Sequence, residues 1–205
     1  MDNLNKLTKI FCDFPGIGPR QAKRFVYFLL TRSDNYLNDL INLVSEIKKE
    51  IKICSQCFRY FPKNNSINND CDLCRNLDRK LDTLMIVARD VDFENIEKSQ
   101  SFFGKYFILG GTIPILDKTP EKRIRLKELL IAVENKAKVG LKEIILGLSA
   151  NPDGEYTGQF ITEALASLIS KYGLKISHLG RGLSTGTELE YSDSDTIKSA
   201  LENRK

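Results

Sequence analysis

The sequence predicts a multi-module chain of mixed α+β and α/β character, and three observations predict it. Four cysteines stand as two C-x-x-C pairs, Cys54/Cys57 and Cys71/Cys74, in the first half of 205 residues. Before them, apolar residues recur with a helical period. After them, short apolar runs alternate with helical stretches, the pattern of βαβ units and a largely parallel sheet. The expected organisation is a helical domain over 1–51, a cysteine module over 52–77, an α/β domain over 78–175 and a C-terminal segment over 176–205.

Residues 4–11 and 19–31 read as two helices flanking the short hairpin Phe14-Pro15-Gly16-Ile17-Gly18-Pro19. Pro19 suits the first turn of the second helix, because the amide it lacks would be unpaired there anyway. Phe25, Phe28 and Leu29 are placed on the core side of that helix. A third helix is expected from Asp34 to Lys49, with Leu37, Leu40, Ile41, Val44 and Ile47 on one face. Beyond the cysteines, Leu84–Ala88 is a buried strand and Asp92–Ser101 a helix. Tyr106–Leu109 is the next strand, ending at Gly110-Gly111. Thr119-Pro120-Glu121 opens a helix to about Asn135, with Thr119 as its cap. Glu143–Leu148 is a strand, Thr157–Tyr172 a helix, Lys175–His178 a strand, and Ser192–Glu202 a terminal helix.

The cysteine spacing lies close to the zinc-ribbon template. Each C-x-x-C loop can turn two thiolates to one point, and two loops supply a tetrahedral Zn²⁺ at roughly 2.3 Å. Four thiolates close the coordination shell, so a bound Zn²⁺, one per chain, would be structural. The residues between the pairs are polar and turn-prone (KNNSINND). Two disulfides are the rival reading, opposed by a chain that reads as cytoplasmic, where thiols stay reduced.

The hairpin carries the second signal. Gly16 and Gly18 leave the backbone bare, so a phosphate can approach the amides at the start of the following helix. Arg20, Lys23 and Arg24 sit in its first turns, and Arg20 and Arg24 share a face. That is a sequence-independent phosphate grip of the helix-hairpin-helix kind; the rival is a hairpin used only for packing or dimerisation. Charge agrees with the first: residues 1–80 hold 14 Lys/Arg against 9 Asp/Glu, whereas 81–205 hold 17 against 18. The third signal is Ala150-Asn151-Pro152-Asp153-Gly154-Glu155, read as a loop at the carboxyl end of a strand, where ligands of open α/β sheets bind. Asp153 and Glu155 could hold Mg²⁺ there; equally, they are acids favoured near a helix N-terminus.

The remaining signals are negative. The polar N-terminus (MDNLNKLTKIF) lacks the apolar stretch of a secretory signal, and no apolar run reaches the ~18 residues of a membrane span. His178 is the only histidine and is expected to be structural; Cys12 is expected to be a buried small hydrophobe. Ser184 and Thr185 lie in a Gly-rich stretch with no Walker lysine, so no nucleotide site is expected.

The order of hairpin, four-cysteine module, Asn-Pro-Asp-Gly-Glu, Gly180-Arg181-Gly182-Leu183 and Leu189-Glu190-Tyr191-Ser192-Asp193, with Ile108-Leu109-Gly110-Gly111, resembles the RecR family of bacterial recombination mediators over essentially the whole chain. The resemblance implies a helix-hairpin-helix, a four-cysteine zinc finger, a Toprim domain and a C-terminal segment. It further implies a ring-shaped homotetramer that binds DNA with RecO and RecF during gap repair. Arg20 and Arg24 match the family's basic positions facing the ring opening, and Glu155, with Asp153, is placed at the surface that meets RecO. Catalytic Toprim domains use a Glu after the first strand and Asp-x-Asp after the third; here those positions read Ala88-Arg89 and Asn151-Pro152-Asp153. One or two acids are poor ligation for a catalytic Mg²⁺. The expectation is therefore a non-enzymatic DNA-binding scaffold. The alternatives are a Toprim-type metal-dependent nuclease or primase-like enzyme, and a zinc module that binds only proteins.

Overall fold

The computed structural model describes residues 2–63, 69–180, 182–183, 186 and 188–202. Residues 64–68 of the loop between the cysteine pairs lie outside them, as do Arg181, Ser184 and Thr185. The chain divides into two compact units, the first of residues 1–52 with 62–64 and the second of 53–61 with 65–205.

The first unit is helical. α1 (Asn3–Cys12) starts where the Asp2 carboxylate accepts from the Asn5 amide at 2.8 Å, satisfying one of the amides a helix start leaves unpaired. α2 (Pro19–Leu30) has Gly18 as cap and Pro19 at its first position, as expected. Phe11 packs edge-on against Phe25 at 5.7 Å, and Ala22 and Val26 are buried. Phe28 corrects the expected core face: it is 43% exposed, with the Arg32 guanidinium 4.0 Å above its ring and Tyr36 at its edge. Its polar company lets the ring stay near solvent. Cys12 is half-buried and not fully enclosed. α3 (Asp34–Glu50), capped by Ser33, has none of its residues buried; Ile41, Val44 and Ile47 are 58–65% exposed. A 17-residue amphipathic helix with its apolar stripe in water calls for a partner surface.

Two three-residue strands, β1 (Ile51–Ile53) and β2 (Tyr60–Pro62), pair as a ribbon. They were not anticipated, being too short for a period to show.

The second unit is built on a four-stranded parallel sheet: β3 (Thr83–Val87), β4 (Lys105–Ile108), β5 (Glu143–Gly147) and β6 (Lys175–His178), in the order β4-β3-β5-β6. All four fall on the expected runs. Alternation separates two cores. Leu84, Ile86, Phe107, Ile144 and Leu146 face α6 (Leu126–Ala137) and α7 (Pro152–Tyr172), through Leu129, Val133, Ile161 and Leu165. Met85, Val87, Tyr106 and Ile108 face α5 (Asp90–Lys98) through Phe93 and Ile96.

Two expected boundaries are corrected. The helix expected from Thr119 is a 3-10 turn, Pro120–Lys122, and the α-helix begins only at Leu126. Between them the Arg125 amide donates to Leu109 O at 2.9 Å, which ties this stretch to the end of β4 and breaks helical continuity. The stretch read as a loop at 150–155 is instead the start of α7. Asn151 caps it by accepting from the Gly154 amide at 2.8 Å, and Pro152 occupies its first position. α8 (Ser194–Glu202) follows a 3-10 turn at Leu189–Tyr191.

Candidate metal centre and nucleic-acid interface

Cys54 and Cys57 belong to a tight turn after β1. The Cys54 amide donates to Arg59 O at 2.9 Å and the Phe58 amide to Cys54 O at 3.1 Å. Phe58 sits at φ 63°, a left-handed conformation costly for a bulky residue. Cys71 is the N-cap of α4 (Asp72–Arg75), a single turn, and Cys74 lies within it. All four sulfurs lie within 4.8 Å of one another, three of the residues buried and one half-buried. The Cys57–Cys71 Sγ separation is 3.6 Å, too long for a disulfide, and all five cysteines are free. A tetrahedron of Zn–S bonds near 2.3 Å has S–S edges of about 3.8 Å, so the donor set fits such an ion. The amides of Gln56 and Cys71 donate to Cys54 Sγ at 3.4 and 3.3 Å, as suits a thiolate.

The sulfurs compete for protons. Bonds from Cys57, then Cys71 and Cys74, hold the Cys54 thiol far below its ordinary value, and sharing with Cys54 pushes Cys57 far up. Cys54 raises Cys71, but Cys57 and Cys74 lower it further, leaving about 7. Cys74 is pushed up, chiefly by Cys54. Four thiolates crowd together only around a cation, and a divalent metal removes this conflict.

The cysteine module wraps the outer edge of β4. The Ile108 amide donates to Cys57 O at 2.9 Å. Arg125 Nη1 donates to Ile108 O at 2.8 Å and, at 3.4 Å, to Phe58 O. Phe58 packs on Phe107 on one sheet face, while Leu73 packs with the opposite core. Lys105, 7% exposed, reaches the carbonyls of Leu73, Cys74 and Asn76. Arg79, also 7% exposed, holds Glu97 in a two-pronged pair at 2.6 and 3.0 Å and donates to Gly104 O and Phe102 O. Burial alone would raise the Glu97 carboxyl; the Arg79 bonds outweigh it and leave it lowered. Lys105, Arg125 and Arg79 escaped the sequence reading. The one available signal was Lys105, a charge at the head of the apolar run Tyr106–Leu109.

The strand order places β3 between β4 and β5, so the chain reverses direction there, and the crevice lies at the strands' carboxyl ends. Arg89 follows β3 and is exposed. Asp153 Oδ1 accepts from the Ile115 amide at 3.3 Å, and Glu155 is exposed one turn into α7. Thr157, fully buried, accepts from the Ile113 amide at 2.9 Å and donates to Asp153 O at 2.6 Å, so α7 and the loop after β4 are locked together. Gly154 is obligatory, because a Cβ there would stand 2.1 Å from Ser149 O. Among the described residues, the cysteines form the one group of three or more metal-ligating side chains; Asp153 and Glu155 belong to none.

In the first unit, Gly16 takes φ 76° and neither it nor Gly18 has an atom within 4 Å of where a Cβ would stand. The bare turn opens directly onto the start of α2, and Arg20, Lys23 and Arg24 are all exposed there. Arg24 donates to Gln21 at 3.3 Å. His178 is exposed at the end of β6.

These parts define a Toprim-domain protein carrying a four-cysteine module: residues 82–180 match the family model of the Toprim domain, and residues 182–205 match that of "RecR, C-terminal". Proteins called recombination protein RecR resemble the chain from end to end. The one from Gloeobacter violaceus is 34% identical, covering 98% of this chain and 96% of its own. That of Prochlorococcus marinus (strain MIT 9515) is 33% identical, over 98% and 94%. The Paracoccus denitrificans protein is 31% identical, over 100% and 96%. The chain belongs to the RecR family of recombination proteins. None of its helices, among the described residues, is long and apolar enough to cross a membrane.

Proposed function

We propose that this chain is a cytoplasmic DNA-binding recombination mediator, a scaffold and not an enzyme, acting with RecO and RecF at single-strand gaps as a tetrameric ring. Exposure of Arg20, Lys23 and Arg24 beside the bare Gly16–Gly18 turn carries the reading. A phosphate meets three cations and the unpaired amides of a helix start, with no base edge being read. The apolar stripe of α3, open to solvent in one chain, supports self-association. Four thiolates hold one structural Zn²⁺ in this reading, and the four-module division at 1–51, 52–77, 78–175 and 176–205 accompanies it.

The Toprim fold serves here as a partner surface. Asp153 shares its carboxylate with a loop amide, and the two residues after β3 are Ala88 and the cation Arg89, where a catalytic site needs an acid. Glu155, exposed on the first turn of α7, is the candidate contact for RecO. Native mass measurement of the reduced, metal-loaded protein tests the assembly. A tetramer is expected, and a monomer at working concentration overturns the ring.

A further inference from the structure

Lys105 poses a problem that the rest of the fold does not solve. It opens the edge strand β4, is 7% exposed, and among the described residues no carboxylate lies within ion-pair distance of it. Arg79, equally buried, has Glu97. A buried cation without a counter-charge is costly. The Lys105 Nζ donates to three carbonyls, Leu73 O at 3.4 Å, Cys74 O at 3.1 Å and Asn76 O at 2.9 Å. Those carbonyls belong to the turn that carries Cys74, one of the four clustered cysteines. A divalent ion held by four thiolates has a formal charge of roughly −2. A loaded centre beside that turn would supply the counter-charge that Lys105 lacks.

We propose that Lys105 is the outer-sphere cation of the four-cysteine centre. Its ammonium fixes the Leu73–Asn76 turn, so that Cys74 keeps its place, and offsets the charge of the metal-bound thiolates. Groups that orient ligands from outside commonly change metal affinity about 10–100-fold when removed. The role rests on the metal reading of the cysteines. It adds a residue with no ligating atom, from a different module, on which retention of the ion depends. Loss of the ion would leave Lys105 buried without its counter-charge and loosen the module's hold on β4.

The test is a Co²⁺ titration of reduced, metal-free full-length protein, followed through thiolate-to-cobalt charge-transfer bands and repeated in competition with a chelator. It compares wild type with Lys105→Met, Lys105→Gln and Lys105→Arg. Gln keeps a donor for the carbonyls without charge; Arg keeps the charge. The expected result is one Co²⁺ per wild-type chain, binding about 10–100-fold weaker in the Met and Gln variants, and recovery of most of that loss in the Arg variant. If Lys105→Met does not fold, the Gln–Arg comparison decides alone. Wild type that loads cobalt beside a Gln variant that holds it as tightly overturns the role of Lys105 and leaves the metal site standing. So does an Arg variant as weak as the Gln variant. Wild type that takes up no cobalt overturns the metal reading and this one with it.

Discussion

Replacing both Arg20 and Arg24 with Ala removes two of three exposed cations from the first turns of α2. The effect can be worked from counterion release. Each neutralised phosphate contributes about 0.7 to the logarithmic salt slope on single strands and about 0.9 on duplex. Two lost contacts per chain should lower the slope by about 1.4 or 1.8 respectively. Between about 50 and 200 mM salt, those two contacts account for roughly 7-fold of the wild type's affinity loss on single strands and roughly 12-fold on duplex. Several chains engaging one DNA would multiply the effect. The fold should not suffer: the buried residues of α2 are Ala22 and Val26, and the hydrogen bond from Arg24 goes to its helical neighbour Gln21. The assay is fluorescence anisotropy with an oligonucleotide of mixed sequence at several salt concentrations, with far-UV circular dichroism as the check on folding. Unchanged affinity with an unchanged slope would refute the reasoning and leave the hairpin as an assembly element. A drop that depends on DNA sequence would refute the claim that the contacts are to backbone alone.

Cys71→Ser should abolish stoichiometric metal, read by elemental analysis, and speed amide exchange at Ile108, whose partner is Cys57 O; intact protection at Ile108 would show that the module holds β4 without the metal. Thr157→Val keeps the shape but strands the Ile113 amide and should cost about 1–3 kcal/mol in chemical denaturation with an unchanged denaturant slope; a loss within error would mean another partner replaces the hydroxyl. Glu97 has a lowered carboxyl in the folded state, so its contribution to stability is complete above its ordinary unfolded value near 4.3 and vanishes as pH falls through the depressed folded value. Glu97→Gln should therefore be less stable than wild type at neutral pH and converge with it in acid; a gap in melting temperature that widens toward low pH would contradict the pairing with Arg79.

What was legible in the sequence was what a period or a spacing can carry. The runs at 84–88, 106–109, 143–148 and 175–178 became four parallel strands, and two C-x-x-C pairs became one cluster. What escaped depends on contacts between distant residues. The helix expected from Thr119 had a cap and a proline in the right places, yet Arg125 binds the backbone of Leu109 and Ile108, and that tertiary contact overrode local preference. At 150–155, Pro152 and Gly154 read as a loop, whereas Pro at the first position and an Asn cap are also how a helix begins. Gly154 is there because Ser149 O leaves no room for a side chain. Phe28 shows the opposite failure: a helical period placed it inside, and a cation over its ring lets it remain outside.

The position of the cysteine module explains why a small four-cysteine module accompanies a Toprim sheet in one chain. An open parallel sheet has edges, and an uncovered edge invites pairing with foreign strands. At β4 the Ile108 amide is taken by Cys57 O, its carbonyl by Arg125, and both sheet faces beside it are covered by Phe58 and Leu73 from the same module. The module has little core of its own: among the described residues, Phe61 is the one large apolar side chain fully buried with the cysteines. Its shape would therefore draw on a bound metal and on its anchors on the sheet. The two needs are met by one structure: the sheet supplies Lys105, Phe107 and Ile108 as anchors, and the module closes the β4 edge in return. Self-association of the kind proposed would draw on a different surface, the open apolar stripe of α3. If assembly uses α3 while the module guards β4, metal loss and substitutions such as Val44→Asp or Ile41→Asp should fail differently: the first by aggregation through a freed strand edge, the second by dissociation into separate chains.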